Sequence, residues 1–249
     1  MTILRIEHLS KSFGMFTVLK DICMEVHEKD VSLLIGPNGS GKTTLINCLS
    51  GIYVPDEGKI LFNGINTVGK KTHELVKLGI AKSFQIPQPF GKLTVAENLL
   101  TCSHHHPGED FSKFILKRLW KKPEEELIQK MFRILEEVGL GAQCNQLASE
   151  LSGGQLKLLE LGRILMLDAK LVLLDEPVGG VNPVLAHKIL SRIRKIRDDF
   201  GTTFLLVEHR LDLVMQYVDH MFLLASGKIK FAGLPQEFLN SKELINVYL

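Results

Sequence analysis

The run Gly36-Pro37-Asn38-Gly39-Ser40-Gly41-Lys42-Thr43-Thr44 follows the pattern G-x-x-x-x-G-K-[ST]. Glycines at this spacing let a backbone wrap around phosphates with its N–H groups turned inward. The apolar run Val31–Ile35 before it reads as a buried strand, and Lys42–Leu49 after it reads as a helix. The loop then opens a helix N-terminus, where the backbone dipoles favour anions. In such a loop Lys42 reaches the β- and γ-phosphates of a nucleotide, and the Thr43 hydroxyl ligates magnesium.

Two further clusters suit the same chemistry. Leu171-Val172-Leu173-Leu174-Asp175-Glu176-Pro177 is an apolar strand ending in two carboxylates, which is costly unless the charges have work. By itself it reads better as an ordinary strand end. Downstream of a phosphate loop, Asp175 can hold magnesium through water, and Glu176 can polarise an attacking water as general base. The segment Leu151-Ser152-Gly153-Gly154-Gln155 precedes a helical stretch. It offers a serine hydroxyl and glycine N–H groups as a second phosphate nest, or a plain serine cap.

The elements that must position these residues change character along the chain. Residues 3–9 alternate as a half-buried strand, and 59–62 form a strand closed by Asn63-Gly64. From 92 to 152 the pattern is helical: Val95–Leu100, 111–119 and 124–138, the last with Leu127, Met131, Ile134, Leu135 and Val138 on one face and Gly139 as its stop. The final third returns to α/β, with helices over Gly153–Met166 and 183–198. Strands are expected over 171–174 and Thr203–Val207, and a hairpin over 221–225 and 229–232 about Ser226-Gly227-Lys228. The expected organisation is one domain: an α/β phosphate-loop core with an N-terminal antiparallel β region (1–91 and 153–249) and an inserted helical subdomain (92–152).

Bulk properties exclude several classes. Thirty Lys and Arg stand against 28 Asp and Glu, a net charge of +2, so nucleic acid is not an expected partner. The cysteines Cys23, Cys48, Cys102 and Cys144 form no C-x-x-C pair. No apolar run reaches the roughly 18 residues of a membrane helix. His104-His105-His106, beside Pro107-Gly108, fits an exposed loop better than a metal site. Lys117, Arg118, Lys121 and Lys122 fit a solvated helix end better than a lipid-facing patch.

The segment 151–155 resembles the signature sequence of ABC (ATP-binding cassette) ATPases, and the chain resembles that family almost end to end. The resemblance implies an ATPase that uses ATP and Mg²⁺. Gln85 takes the place of the family's magnesium-contacting glutamine and His209 that of its γ-phosphate switch histidine. Phe13 stands where an aromatic ring stacks on adenine, with Val18 nearby. By themselves, Phe13 equally fits a core residue, and His209 fits a structural histidine better than a catalytic one. The resemblance also implies that Ser152, Gly153, Gly154 and Gln155, with Asn182 in the loop after Glu176, meet ATP held by a second subunit, itself a copy or a paralogue.

Within the family, Pro177-Val178-Gly179-Gly180-Val181-Asn182-Pro183, Val207-Glu208-His209, Ala81-Lys82-Ser83-Phe84-Gln85 and the C-terminal tail are similar to the branched-chain amino acid importer group, a pattern that urea and amide importers share. The implied partners are membrane permease subunits and, indirectly, a solute-binding protein, at the cytoplasmic face of the membrane. Leu156, Leu158 and Arg210 depart from the usual pattern. A soluble ABC ATPase of DNA repair or translation would carry a coiled-coil arm or two cassettes, which this chain lacks. A module that binds ATP without hydrolysing it is the other alternative, against which Glu176, Gln85 and His209 argue.

Overall fold

The computed structural model describes residues 1–83, 88–103, 121–241 and Leu244. The expected helix over 111–119 and the residues His104, His105, His106, Lys117 and Arg118 lie outside them. In chain order the elements are β1 (Thr2–Phe13), β2 (Phe16–His27), β3 (Val31–Ile35), α1 (Lys42–Leu49), β4 (Glu57–Phe62), β5 (Ile65–Asn66), α2 (Thr72–Leu78) and β6 (Ile80–Lys82). Three helices follow: α3 (Val95–Leu100), α4 (Lys121–Val138) and α5 (Gly153–Met166). The chain then continues through β7 (Leu171–Asp175), α6 (Pro183–Phe200), β8 (Thr203–Val207), α7 (Leu211–Val214), β9 (His220–Ala225), β10 (Lys228–Gly233) and α8 (Pro235–Asn240).

These elements fall into two compact units, 1–85 with 170–249, and 86–169. The first holds two sheets. An antiparallel sheet has the order β2-β1-β4-β5, and a mostly parallel one has the order β10-β9-β3-β8-β7-β6. Every residue of β3, β7 and β8 is buried. Strands covered on both faces need continuous apolar runs rather than alternation. Leu34, Leu173 and Leu205 of the parallel sheet, Leu45, Ile46 and Leu49 of α1, and Leu4, Ile6 and Phe62 of the antiparallel sheet share one core cluster. Each such buried side chain contributes on the order of 1.5–3 kcal/mol relative to exposure. That core anchors α1, and with it the loop that precedes α1.

Strand β2 was not legible as a strand. Ile22, Met24 and Val26 alternate inward, but the inward Leu19 is out of step with them. Asp21, at φ 57°, and its neighbour across the ladder, His8, at φ 52°, lie in the left-handed region. The ladder shifts register there, and a bulge of this kind resets the period-two pattern. The β9–β10 turn is tighter than expected. Lys228 pairs with Ala225, so Ser226 and Gly227, at φ 52° and 76°, make a two-residue turn.

The helical unit extends further than the expected span 92–152. Helix α5 packs on α3 and α4, and Gly162 faces Leu99, Ile134 and Val138, whose side chains lie 3.5–3.6 Å from where a Cβ would stand. The boundary therefore follows α5, at 169/170. Met131, Ile134, Leu135 and Val138 form the buried face of α4, and Leu127 is half-buried. Gly139, at φ 70°, follows the last turn. Thr94 caps α3, its Oγ1 accepting from Glu97 N while Glu97 accepts from Thr94 N.

Candidate nucleotide site

Three parallel strands deliver the candidate residues from their C-terminal ends, the edge where open α/β sheets place ligands. β3 leads into the loop 36–41 and α1. β7 ends at Asp175 and Glu176. β8, hydrogen-bonded between them, leads into Glu208 and His209. A cleft of about 400 Å³ results, lined by Val18, residues 38–44, Asp175, Glu176, Val207 and His209.

The loop is shaped by its glycines. Gly39 and Gly41 have φ of 76° and 109°, a region that side chains rarely enter. A Cβ on Gly41 would stand 2.8 Å from the Leu19 side chain, and one on Gly36 would strike the Leu224 carbonyl. Gly41 is the residue before α1 and supplies no side-chain cap. The first-turn N–H groups of α1 therefore face the cleft without the usual hydroxyl or carboxylate acceptor.

Lys42 is 6% exposed. Its Nζ donates to the carbonyl oxygens of Gly36 at 2.7 Å and Pro37 at 3.0 Å. Burial pushes its pKa below the ordinary lysine value, and the charges of Glu176 and Asp175 oppose that shift. Burial likewise pushes the Asp175 carboxyl up, Glu176 adds to it, and Lys82, Lys42 and His209 pull it down. Asp175 N donates to Ser83 Oγ at 3.2 Å. Lys82 Nζ donates to Asn47 Oδ1 at 2.6 Å. Ser40 Oγ is buried with no hydrogen-bond partner among the described residues. An uncapped helix start, a buried ammonium and an orphaned hydroxyl together fit a polyphosphate, and Asp175 and Thr43 on the same cleft fit a divalent cation accompanying it.

Glu176 stands at φ 52°, a strained conformation for a residue with a side chain, at a cost of about 1–3 kcal/mol. Its N–H still donates to Val207 O at 2.9 Å, and its carbonyl accepts from Gly179 N at 3.0 Å. The bend turns the side chain out of the sheet, and Oε1 lies 3.4 Å from His209 Nε2.

Other expected residues are placed elsewhere. Phe13 does not line the cleft. It ends β1, 43% exposed, with its ring edge-on to Tyr53 at 5.2 Å. Asn182 is the exposed N-cap of α6, its side chain accepting from Leu185 N at 2.9 Å. Gln85 lies outside the described residues. In the helical unit Ser152 caps α5: its Oγ accepts from Gln155 N at 3.4 Å, and Gln155 Oε1 accepts from Ser152 N at 2.8 Å. Gly153 is exposed and Gly154 buried. Leu158 is 3% exposed, so its departure from the common pattern is a packing choice. The sequence reading missed Lys82, Ser83 and Glu208. Buried Glu208 had a signal, a carboxylate at the end of an apolar strand, as at Asp175.

A sequence model described as "ABC transporter" matches residues 19–179. The chain is 46% identical to the probable branched-chain amino acid transport ATP-binding protein LivG of Archaeoglobus fulgidus, covering 100% of this chain and 96% of that protein. It is 34% identical to the high-affinity branched-chain amino acid transport ATP-binding protein BraF of Pseudomonas aeruginosa, over 99% of this chain and 97% of the relative. The crystal structure of the ADP conformation of an ATP-binding cassette of an ABC transporter superposes with a TM-score of 0.85 at 40% identity, covering 100% of this chain and 98% of the other. The chain belongs to the ABC transporter family, as an ATP-binding and ATP-hydrolysing subunit.

Replacing Lys42 by alanine removes the buried ammonium that the cleft holds ready for phosphate. Titration calorimetry should show ATP affinity falling at least about 100-fold, on the order of two charge-assisted hydrogen bonds. Near-parental affinity would contradict the assignment of Lys42.

Proposed function

We propose that this subunit powers import of branched-chain amino acids through separate membrane subunits at the cytoplasmic face of the membrane. Supporting this is the end-to-end likeness to LivG and BraF, in a chain whose Lys42, Asp175, Glu176 and His209 surround one cleft. Among the described residues no helix is long and apolar enough to cross a membrane, so a permease would have to hold the subunit there. A solute-binding protein would deliver the amino acid on the far side.

In this reading residues 36–44 wrap the phosphates of ATP, Lys42 neutralises their terminal charge, and the base passes Val18 at the cleft and extends out of it toward the exposed ring of Phe13. Thr43, Asp175 and Gln85 would hold Mg²⁺, which when bound neutralises phosphate charge. Glu176 takes the proton of the attacking water as general base. His209, 3.4 Å from Glu176 Oε1, steadies that carboxylate and reaches the terminal phosphate. Phosphoryl transfer to water asks for positioning and charge stabilisation more than covalent help, and this set supplies both.

The nest at Ser152, Gly153, Gly154 and Gln155, together with Asn182, would close over ATP held by a second subunit, a copy or a paralogue. Ser152 Oγ is only loosely engaged in its own cap, at 3.4 Å, and the nest is exposed at Ser152 and Gly153. Two such chains would enclose two nucleotides. Binding closes the pair, and hydrolysis with release reopens it.

Glu176→Gln should slow hydrolysis by about 10²–10⁴-fold while sparing binding, since the amide keeps the shape but is a poor base. On size exclusion with light scattering, this variant should dimerise with ATP and not with ADP, and adding Ser152→Arg should abolish the dimer. A dimer indifferent to Ser152→Arg would contradict the trans role of the nest. For the solute, vesicles holding the subunit with its permease and binding protein should take up labelled leucine when ATP is enclosed. Uptake of urea in place of leucine would overturn the proposed substrate.

A further inference from the structure

Glu208 sits between the strand and the histidine it carries, and it is 1% exposed. Its Oε1 accepts from Val178 N at 2.7 Å, across 30 residues of sequence. Its Oε2 accepts from His209 N at 3.3 Å. One carboxylate therefore joins the backbone of the turn after Glu176 to the backbone of His209. Two residues on, Arg210 Nη1 donates to Val181 O at 3.2 Å. The segment 208–210 grips the loop 178–181 at both its ends, through a donor at Val178 and an acceptor at Val181.

The grip falls where the backbone needs it. Glu176 is held in the left-handed region, a conformation that persists only where the surroundings over-determine it. The contacts that do so include Glu176 N to Val207 O, Gly179 N to Glu176 O, and the Glu208 bond to Val178 N. Gly179 and Gly180 lie in the gripped loop, and Gly180 is at φ 72°, so the loop has little stiffness of its own. Arg210, the position that departs from the common family pattern, supplies the second hold. Lysine would keep the charge but lose the planar fork that reaches a carbonyl from a fixed direction.

We propose that Glu208 and Arg210 are positioning residues that lock the 178–181 loop to the His209 segment, so that Glu176 and His209 keep their mutual geometry through turnover. Neither touches the reacting atoms. This rests on the hydrolytic roles proposed for Glu176 and His209. The two proposals separate cleanly: Glu176→Gln tests those roles, and the Glu208 and Arg210 variants test the lock.

The test measures steady-state ATP hydrolysis and ATP affinity for Glu208→Ala, Glu208→Gln, Arg210→Ala and Arg210→Lys, with thermal melts on each. Glu208→Ala removes the acceptor of the buried Val178 N–H and one contact of the His209 backbone, and should lower kcat at least tenfold, with KM for ATP within about twofold. Glu208→Gln, which keeps one acceptor oxygen, should recover part of that loss and covers the case in which alanine prevents folding. Arg210→Ala, on a half-buried side chain, should lower kcat several-fold at unchanged KM, with Arg210→Lys intermediate. The double variant should be less than multiplicative, because both residues act through one loop. A kcat within twofold of the parent in folded Glu208→Gln and Arg210→Ala would overturn the lock. So would fully multiplicative effects, or losses in which KM and the melting temperature move with kcat.

Discussion

A buried ammonium sets the terms for the whole site. Lys42 is almost fully enclosed, and two backbone carbonyls hold its Nζ. A charge taken from water in this way costs several kcal/mol unless paired, and its lowered pKa reflects that cost. Carbonyl dipoles compensate part of it, and the carboxylates of Asp175 and Glu176 act from across the cleft. A polyphosphate supplies the remaining negative charge where the uncapped start of α1 also asks for it. Affinity for phosphate is thus built into the folded chain.

That arrangement requires three strand ends to be fixed together. The order β3-β8-β7 places the phosphate loop, the histidine and the carboxylates along one sheet edge, and the full burial of all three strands makes the edge rigid. Rigidity permits strain. Glu176 occupies a backbone conformation that a mobile loop would relax, and its side chain is thereby aimed at His209 rather than left in the strand. Asp175 remains in the ladder beside Ser83, so adjacent carboxylates acquire different surroundings from one bend.

Much of this was legible because it is local. The phosphate loop is a backbone requirement written in glycines, and β3, β7 and β8 declare themselves through continuous apolar runs. Helix boundaries at Lys42–Leu49 and Gly153–Met166 follow from Gly41 before the first, the Ser152 cap before the second, and the apolar spacing after each. What escaped is tertiary. The bulge at His8 and Asp21 breaks the alternation that would have revealed β2. The assignment of α5 to the helical unit depends on its packing against α3 and α4. Glu208 was read as part of a similarity to importer sequences, and the Val178 N–H it binds lies 30 residues away.

The buried Lys42 ammonium and the uncapped start of α1 predict that the phosphates, more than the base, set nucleotide affinity. Calorimetric titration of the unmodified protein with ATP, ADP and AMP in the presence of Mg²⁺ measures this directly. The prediction is comparable affinity for ATP and ADP, and loss of at least about 100-fold, close to 3 kcal/mol, for AMP, which cannot span the loop. Equal affinity for all three nucleotides would contradict it.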